Sequence, residues 1–284
     1  KETREEILVW TDVSLHSMRF IGPPFTFGIR QVSGLITIIS PNASIAVEDF
    51  AVWMGRDDFF VYKGGVNTLP CTVKQYVFSD LNQAQTQKIF CGVNSAFSEI
   101  WWFYPSSSSL ENDRYVVWNY TNNLWYYGNL FRTAWLDRGI KDFPIGASSD
   151  GYLYNHEFGL DDGSTDPASP ISSFIESSQV DIGQGDNFAF VNRIIPDISF
   201  STSTVSDPSA NVILKSRNFP GGGFQQTDTT GVTQTATTPV ELYTEKADIR
   251  LRGRSMTLRV ESNATGVQWK LGTPRMNIRP DGRR

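Results

Sequence analysis

Cysteine is almost missing from this chain: Cys71 and Cys91 are its only two, with no Cys-x-x-Cys pair and no histidine nearby. That excludes a recognisable zinc motif and leaves one disulfide open without requiring it. Histidine is as scarce, at His16 and His156. Nor is there a Gly-x-Ser-x-Gly elbow, a phosphate loop, a Rossmann glycine pattern or a His-Glu-x-x-His pair. With no nucleophile and no orienting partner in view, both histidines read as structural or simply exposed, and no cofactor is predicted. No run approaches the roughly 18 consecutive apolar residues of a membrane helix, and the opening KETREEILVW is charged, so neither a span nor an export signal is predicted. The first residue is lysine and the chain opens almost inside a strand, EILVWTD. The expectation is a processed or truncated piece of a longer protein.

The remaining composition is that of a folded, water-soluble chain with a substantial core. It is 39% hydrophobic and 19% charged over 284 residues, enough for one large or two ordinary domains. Three sequons, at Asn42, Asn119 and Asn263, fit the glycosylation pattern but carry little weight without a secretion signal. Charge is uneven. From Lys246 to Arg284 ten Lys or Arg meet three acids, Asp248, Glu261 and Asp281, a balance of +7 that leaves −12 for the rest of a chain at −5. Such a basic end suggests an anionic partner or an acidic surface on another copy, or else the solvent face of alternating strands.

Aromatic residues are what the chain has in excess. EIWWFYPSSSSLENDRYVVWNYTNNLWYYG, residues 99–128, holds ten of them, including four of the eight tryptophans. The stretch belongs to a repeat. VWTDVSLHSMRF (9–20), VWMGRDDFFVYKGG (52–65), the segment at 100–120 and IGASSDGYLYNH (145–156) each run strand, polar turn, strand. With Trp10, Trp53, Trp102 and Gly146 equivalent, the spacings are 43, 49 and 44 residues. A period of about 40–50 residues built from short strands predicts β-propeller blades, stacked face to face and filled by flat side chains. In RYVVWNY, Tyr115 and Val117 alternate with Val116 and Trp118, so both faces carry bulk. A three-stranded meander with one long loop, SSSSLEND, is expected there. One helix is expected at 76–90, capped by Ser79 or Asp80, with Leu81, Ala84 and Lys88 along one face, bridging two blades.

Beyond about residue 165 aromatics thin out and Ser, Thr, Gly and Asp take over. Residues 1–164 therefore read as propeller blades and 165–284 as an antiparallel β-sandwich or platform-type domain of about seven strands, an all-β protein throughout. Expected strands are SFIESSQVDIG, FVNRIIPDISF, NVILKSR, VELYT, ADIRLRG, SMTLRVES and VQWKLGTPRMNIRP. PGGG at 220–223 is loop punctuation. In ADIRLRGR, Ile249 and Leu251 alternate with Arg250, Arg252 and Arg254. Met256, Leu258 and Val260 alternate with Thr257, Arg259 and Glu261, the period of a half-buried sheet. Arg250, Arg252, Arg254 and Arg259 are the candidate subunit-interface or phosphate-contacting residues.

Propellers can host glycosidases, which need two placed acids. Asp57 with Asp58, Asp161 with Asp162, and Glu111 with Asp113 are the local pairs; all fall in expected turns, where Asp serves the backbone. SSDGYLY around Asp150 is like the turn of sialidase propellers but lacks its tryptophan. No metal or catalytic set is predicted. A glycan-binding or glycan-cleaving propeller, a phage receptor protein, stays as the alternative to a non-enzymatic one.

The run EIWWFYPSSSSLENDRYVVWNY, TAWLDRG at 133–139, SPNA at 40–43 with LPCTV at 69–73, and the closing GVQWKLGTPRMNIRPDGRR together resemble the tail nozzle proteins of short-tailed bacteriophages. The resemblance runs from about Ile7 to Arg284 and rests on structural signatures. Members of that family are usually longer at the front, which would add blades and part of a platform. The resemblance implies a virion protein of the phage tail: a homohexameric tube that binds the tail adaptor ring, helps seat tail fibres or spikes, and holds genomic DNA in its lumen until release, with no sequence specificity and no membrane span. A mostly acidic or neutral channel lets duplex slide, since many cations would grip it. On that logic the basic strands face neighbouring subunits or the adaptor, although a few lumen arginines could also brake DNA.

Overall fold

Short strands bounded by turn residues account for nearly all regular structure in the computed structural model, which describes residues 1–181, 185–219 and 234–282. The protein is all-β, and its chain divides into two units, Lys1–Phe158 and Gly159–Arg284.

The first unit holds four antiparallel meanders in chain order. β1 (Ile7–Trp10), β2 (Ser14–Gly22) and β3 (Thr26–Gly34) form the first; β4 (Ser44–Val47), β5 (Phe50–Met54), β6 (Phe59–Tyr62) and β7 (Val66–Leu69) the second. β8 (Phe90–Asn94), β9 (Glu99–Tyr104), β10 (Arg114–Asn119) and β11 (Leu124–Asn129) make the third; β12 (Ala134–Leu136), β13 (Ile145–Ala147) and β14 (Leu153–Asn155) the fourth. The four repeats of the sequence are the hairpins β1–β2, β5–β6, β9–β10 and β13–β14.

Successive meanders pack face to face because their strands are apolar on both sides. In β5, Ala51 and Trp53 join Leu8, Leu15 and Tyr62 on one side, while Val52 and Met54 join Ile100, Trp102, Tyr104 and Trp118 on the other. Every residue of β9 is buried: Ile100, Trp102 and Tyr104 face the second sheet, and Trp101 and Phe103 meet Trp135 of the fourth. The aromatic excess is thus inter-sheet filling. Each such fully buried large side chain contributes about 1.5–3 kcal/mol of transfer free energy. Two indole N–H groups inside this packing are satisfied by the backbone: Trp102 donates to the Ala43 carbonyl at 3.0 Å and Trp135 to Val93 at 2.8 Å.

Gly146 breaks the tryptophan pattern for a steric reason. It pairs with Trp135, and a Cβ there would lie 2.7 Å from Cδ of Arg132. Trp135 supplies the ring instead, stacked on Trp101 with centroids 5.4 Å apart.

The helix expected at 76–90 is two shorter pieces, α1 (Lys74–Ser79) and 3-10 turns over Gln83–Lys88. Leu81 interrupts them by bridging to Ser106. Asp80 closes the first piece, and Asn82 caps the second by accepting the N–H of Ala84 at 3.0 Å. Neither Ser79 nor Asp80 is an N-cap, because tertiary pairing at Leu81 overrides the continuous pattern.

In the second unit, β15 (Asp161–Asp162) pairs with β16 (Ser169–Pro170). β17 (Ser173–Glu176) and β18 (Val180–Asp181) both pair with β24 (Ser255–Ser262). Between them in sequence come β19 (Ala189–Ile195), β20 (Ile198–Ser199), β21 (Ser209–Arg217), β22 (Thr235–Glu241) and β23 (Ala247–Gly253). β25 (Lys270–Leu271) and β26 (Arg275–Pro280) complete it. One sheet runs β17-β24-β21-β22 and another β23-β19-β26. Val191, Ile194, Ile249 and Leu251 of the second share a core with Val212, Leu214, Met256 and Val260 of the first, a sandwich.

Two expectations need correcting here. The boundary falls after Phe158 rather than after residue 164, since Asp161 accepts the N–H of Gly266 at 2.7 Å and so belongs with the sandwich. The strand expected at VELYT is Thr235–Glu241, which takes in TATTP. Pro239 is tolerated because β22 lies at the sheet edge, where a missing N–H costs no ladder bond. The PGGG stretch at 220–223 lies outside the described residues.

Candidate functional site

The four arginines singled out from sequence do not form one cluster. β23 alternates strictly, with Ile249 and Leu251 buried and Arg250 and Arg252 exposed. Arg254, in the turn to β24, donates to the carbonyls of Gly185 (3.2 Å) and Asp186 (2.7 Å). The guanidinium groups of Arg252 and Arg254 both lie over the Phe188 ring, at 3.9 and 4.6 Å, and Arg252 also pairs with Asp281 at 2.5 Å. Arg259 sits in the other sheet. Its guanidinium covers Phe174 at 3.8 Å and pairs with Glu176 (3.0 Å) and Glu261 (2.6 Å). Burial of Glu176 opposes ionisation, but the bonds from Arg259 and Lys215 prevail and hold its carboxyl below the usual range. Arg259 is therefore committed to its own sheet face.

Strand pairing brings other arginines beside Arg250 and Arg252. Phe190 of β19 stands opposite Arg252 on one side and Arg279 on the other. Arg193 stands opposite Asp248 and Asn277, and Ile195 opposite Arg275. Alternation in FVNRII and RMNIRP was the available signal, but only the sheet order β23-β19-β26 makes these strands neighbours.

All the paired acids but Asp57, which is exposed, serve the fold. Asp58 pairs with Lys74 and Glu111 with Lys88, each at 2.5 Å. Asp113 is buried and accepts both the backbone N–H and the hydroxyl of Ser106 at 2.7 Å, pinning the SSSSLEND loop. Asp161 holds Gly266, and Asp162 accepts the N–H of Ser164 at 2.9 Å. Asp150 accepts the N–H of Tyr152 and the hydroxyl of Tyr154, which lower its pKa.

Sequence reasoning missed one pair of carboxylates, Glu99 and Glu157, which are 58 positions apart in the chain. Glu99 is buried and accepts the indole N–H of Trp101 at 3.1 Å. Glu157 accepts from the amide of Asn94 at 3.2 Å. Protein atoms packed round the Glu157 carboxyl, and then the charge of Glu99, push its pKa up. Nearby, His156 accepts the Nε–H of Arg132 at 2.8 Å and is lowered to about 4 by burial and by that cation. His16 bonds the Ser14 hydroxyl at 2.9 Å. Both histidines are engaged structurally.

Cys71 and Cys91 are free thiols, and burial raises both, Cys71 to about 11. They are poor nucleophiles. In the second unit an apolar cavity of about 100 Å³ is lined by Val180, Leu214, Met256, Leu258, Met276 and Ile278 among others. Among the described residues no three His, Cys, Asp or Glu converge on a metal position, and no helix is long and apolar enough to cross a membrane.

No family model matches the chain, and no curated protein matches it. Among solved structures it is similar to the crystal structure of an exo-beta-1,3-galactanase from Phanerochaete chrysosporium with galactose. That match has 7% identity and a TM-score of 0.28, covering 93% of this chain and 75% of the other. A likeness at that level carries no argument about either fold or activity.

Proposed function

We propose that this chain is a non-enzymatic virion protein of the distal tail nozzle of a short-tailed phage, its first unit contributing blades of a propeller and its function residing in oligomer shape. A homohexamer would form the channel that retains and then conducts genomic DNA, with the adaptor ring and the tail fibres or spikes docked on its outside. The sequence resemblance motivates this reading. The observation that carries it is an open apolar surface on the first sheet. Leu8 and Leu15 point into the core, whereas Phe20, Ile21, Phe25, Phe27 and Ile29 are each more than half exposed around the β2–β3 hairpin. Phe20 and Phe27 touch only edge to face, centroids 6.0 Å apart. Of these exposed side chains, Phe20, Phe27 and Ile29 share one face of the hairpin, an apolar patch on the order of 300 Å², the size at which a monomer's largest patch is often a protein contact.

Electron microscopy of the full-length protein, alone and with its adaptor, is the test. Rings with an axial hole of at least about 20 Å, enough for duplex by its groove dimensions, are expected. Monomers that stay monomeric with the adaptor would refute the reading. Replacing Arg250, Arg252 and Arg254 with Ser asks whether those strands face a neighbour: unchanged rings would count against that role.

The glycan reading keeps one specific observation, the nearness of the Glu99 and Glu157 carboxylates, since glycosidases work with two placed acids. A glycan array followed by hydrolysis assays on Glu157→Gln tests it; absence of any bound glycan removes it.

A further inference from the structure

We propose that the outer face of the β23-β19-β26 sheet is a phosphate-binding surface for double-stranded nucleic acid, acting through charge without reading sequence. The inference stands apart from the nozzle reading, because it needs only this sheet.

Five arginines come from three strands to one face: Arg250 and Arg252 from β23, Arg193 from β19, Arg275 and Arg279 from β26, all exposed. Their neighbours Val191, Ile249, Leu251, Met276 and Ile278 point the other way, into the sandwich core. The face is thus fixed by the same alternation that builds the core, and a one-residue slip would bury the charges. Among the described residues two carboxylates form ion pairs with them. Asp248 pairs with Arg193 at 3.0 Å and Asp281 with Arg252 at 2.5 Å, which leaves a surplus of three positive charges.

Duplex phosphates fit this surface better than an acidic protein does. Alternate residues on a strand are about 6.8 Å apart, twice the roughly 3.4 Å axial spacing of phosphates along one DNA strand. Arg250 and Arg252 have this spacing, and Arg275 and Arg279, with Asn277 between them, have twice it. All five cations are Arg, whose planar guanidinium takes phosphate oxygens two at a time. A protein partner would want a broad apolar anchor, and the face offers two apolar side chains among five arginines: half-buried Phe190 on the central strand, between Arg252 and Arg279, and exposed Ile195 at that strand's end.

The experiment is fluorescence anisotropy of the full chain with a labelled duplex of about 20 base pairs, across potassium chloride from about 50 to 300 mM. A surplus of three charges predicts a slope of log affinity on log salt near −2.7, or about a 40-fold loss between 50 and 200 mM. Two unrelated duplex sequences should bind alike. Arg250→Gln with Arg279→Gln should shrink the slope by about 2 and weaken binding at 50 mM by about tenfold or more. Both side chains are exposed, so folding is not at stake. A charge-matched control, Arg56→Gln with Lys141→Gln in the first unit, should bind as the parent does. Three results would overturn the proposal: no binding at 50 mM salt, an equal loss in the control, or tighter binding of poly-glutamate than of duplex at equal charge. The last would assign the face to an acidic protein surface. Ring formation is scored separately, so failure here leaves the nozzle reading to its own test.

Discussion

Glu6→Gln should destabilise the first unit by about 2–3 kcal/mol at neutral pH and by almost nothing in strong acid. Glu6 is 7% exposed. Its carboxylate accepts from Nε and Nη2 of Arg19 at 2.7 and 3.2 Å and from the hydroxyls of Ser17 and Tyr62, tying the first sheet to the second. The Arg19 bonds, opposed by burial and aided by Ser17 and Tyr62, lower its pKa from 4.5 to about 2. At about 1.4 kcal/mol per pKa unit that is roughly 3 kcal/mol. Partial exposure of Arg19, at 41%, argues for the lower part of the range. Because the folded pKa is depressed, the contribution is complete above the unfolded value and is lost as pH falls from 4.5 towards 2. Gln keeps the shape and one acceptor but not the charge. Urea unfolding followed by tryptophan fluorescence is the assay, since seven of the eight tryptophans lie in this unit. The expected loss corresponds to a Tm drop of about 5–10 °C at neutral pH for a unit of this size. A deficit that is constant from pH 7 to pH 2 would refute the electrostatic account and point to packing instead.

Three more outcomes follow from the same packing. Trp102→Ala should cost about 3–5 kcal/mol in denaturant unfolding, because it removes a fully buried ring and the bond to the Ala43 carbonyl. Gly92→Ala should cost about 1–3 kcal/mol, since its Cβ would stand 2.6 Å from Cδ1 of Trp135 and force the third and fourth sheets apart. The lowered pKa of His156 has the opposite origin to that of Glu6: the folded state resists protonating a base. First-unit stability should therefore fall as pH drops from 6.5 to about 4, and His156→Gln should flatten that part of the profile.

The hairpins were legible because their signal is local. Each hairpin carries its own apolar strands and its own turn within about a dozen residues, so EIWWFY and RYVVWNY announce two-sided burial without any knowledge of their neighbours. The helix misreading shows the limit. YVFSDLNQAQTQKIF has an uninterrupted helical composition, yet Leu81 is claimed by a bridge to Ser106, 25 positions away. The strand TATTPVE was hidden in a similar manner, since Pro239 reads as a breaker until its place at a sheet edge is known.

Sequence alone determined the all-β class, the repeating hairpins, the alternation of Arg250 and Arg252 with Ile249 and Leu251, and the shortage of catalytic residue types. All of these depend on residue kind and on spacings shorter than one hairpin. Tertiary structure decided which distant groups meet. It set Glu99 beside Glu157, Glu6 beside Tyr62, and Arg259 on a different sheet from Arg252. It also gathered Arg193, Arg275 and Arg279 beside the arginines of β23. The reason is that strand order is fixed by how apolar faces cover one another over tens of residues, and a charged side chain on the outer face goes wherever that burial carries it.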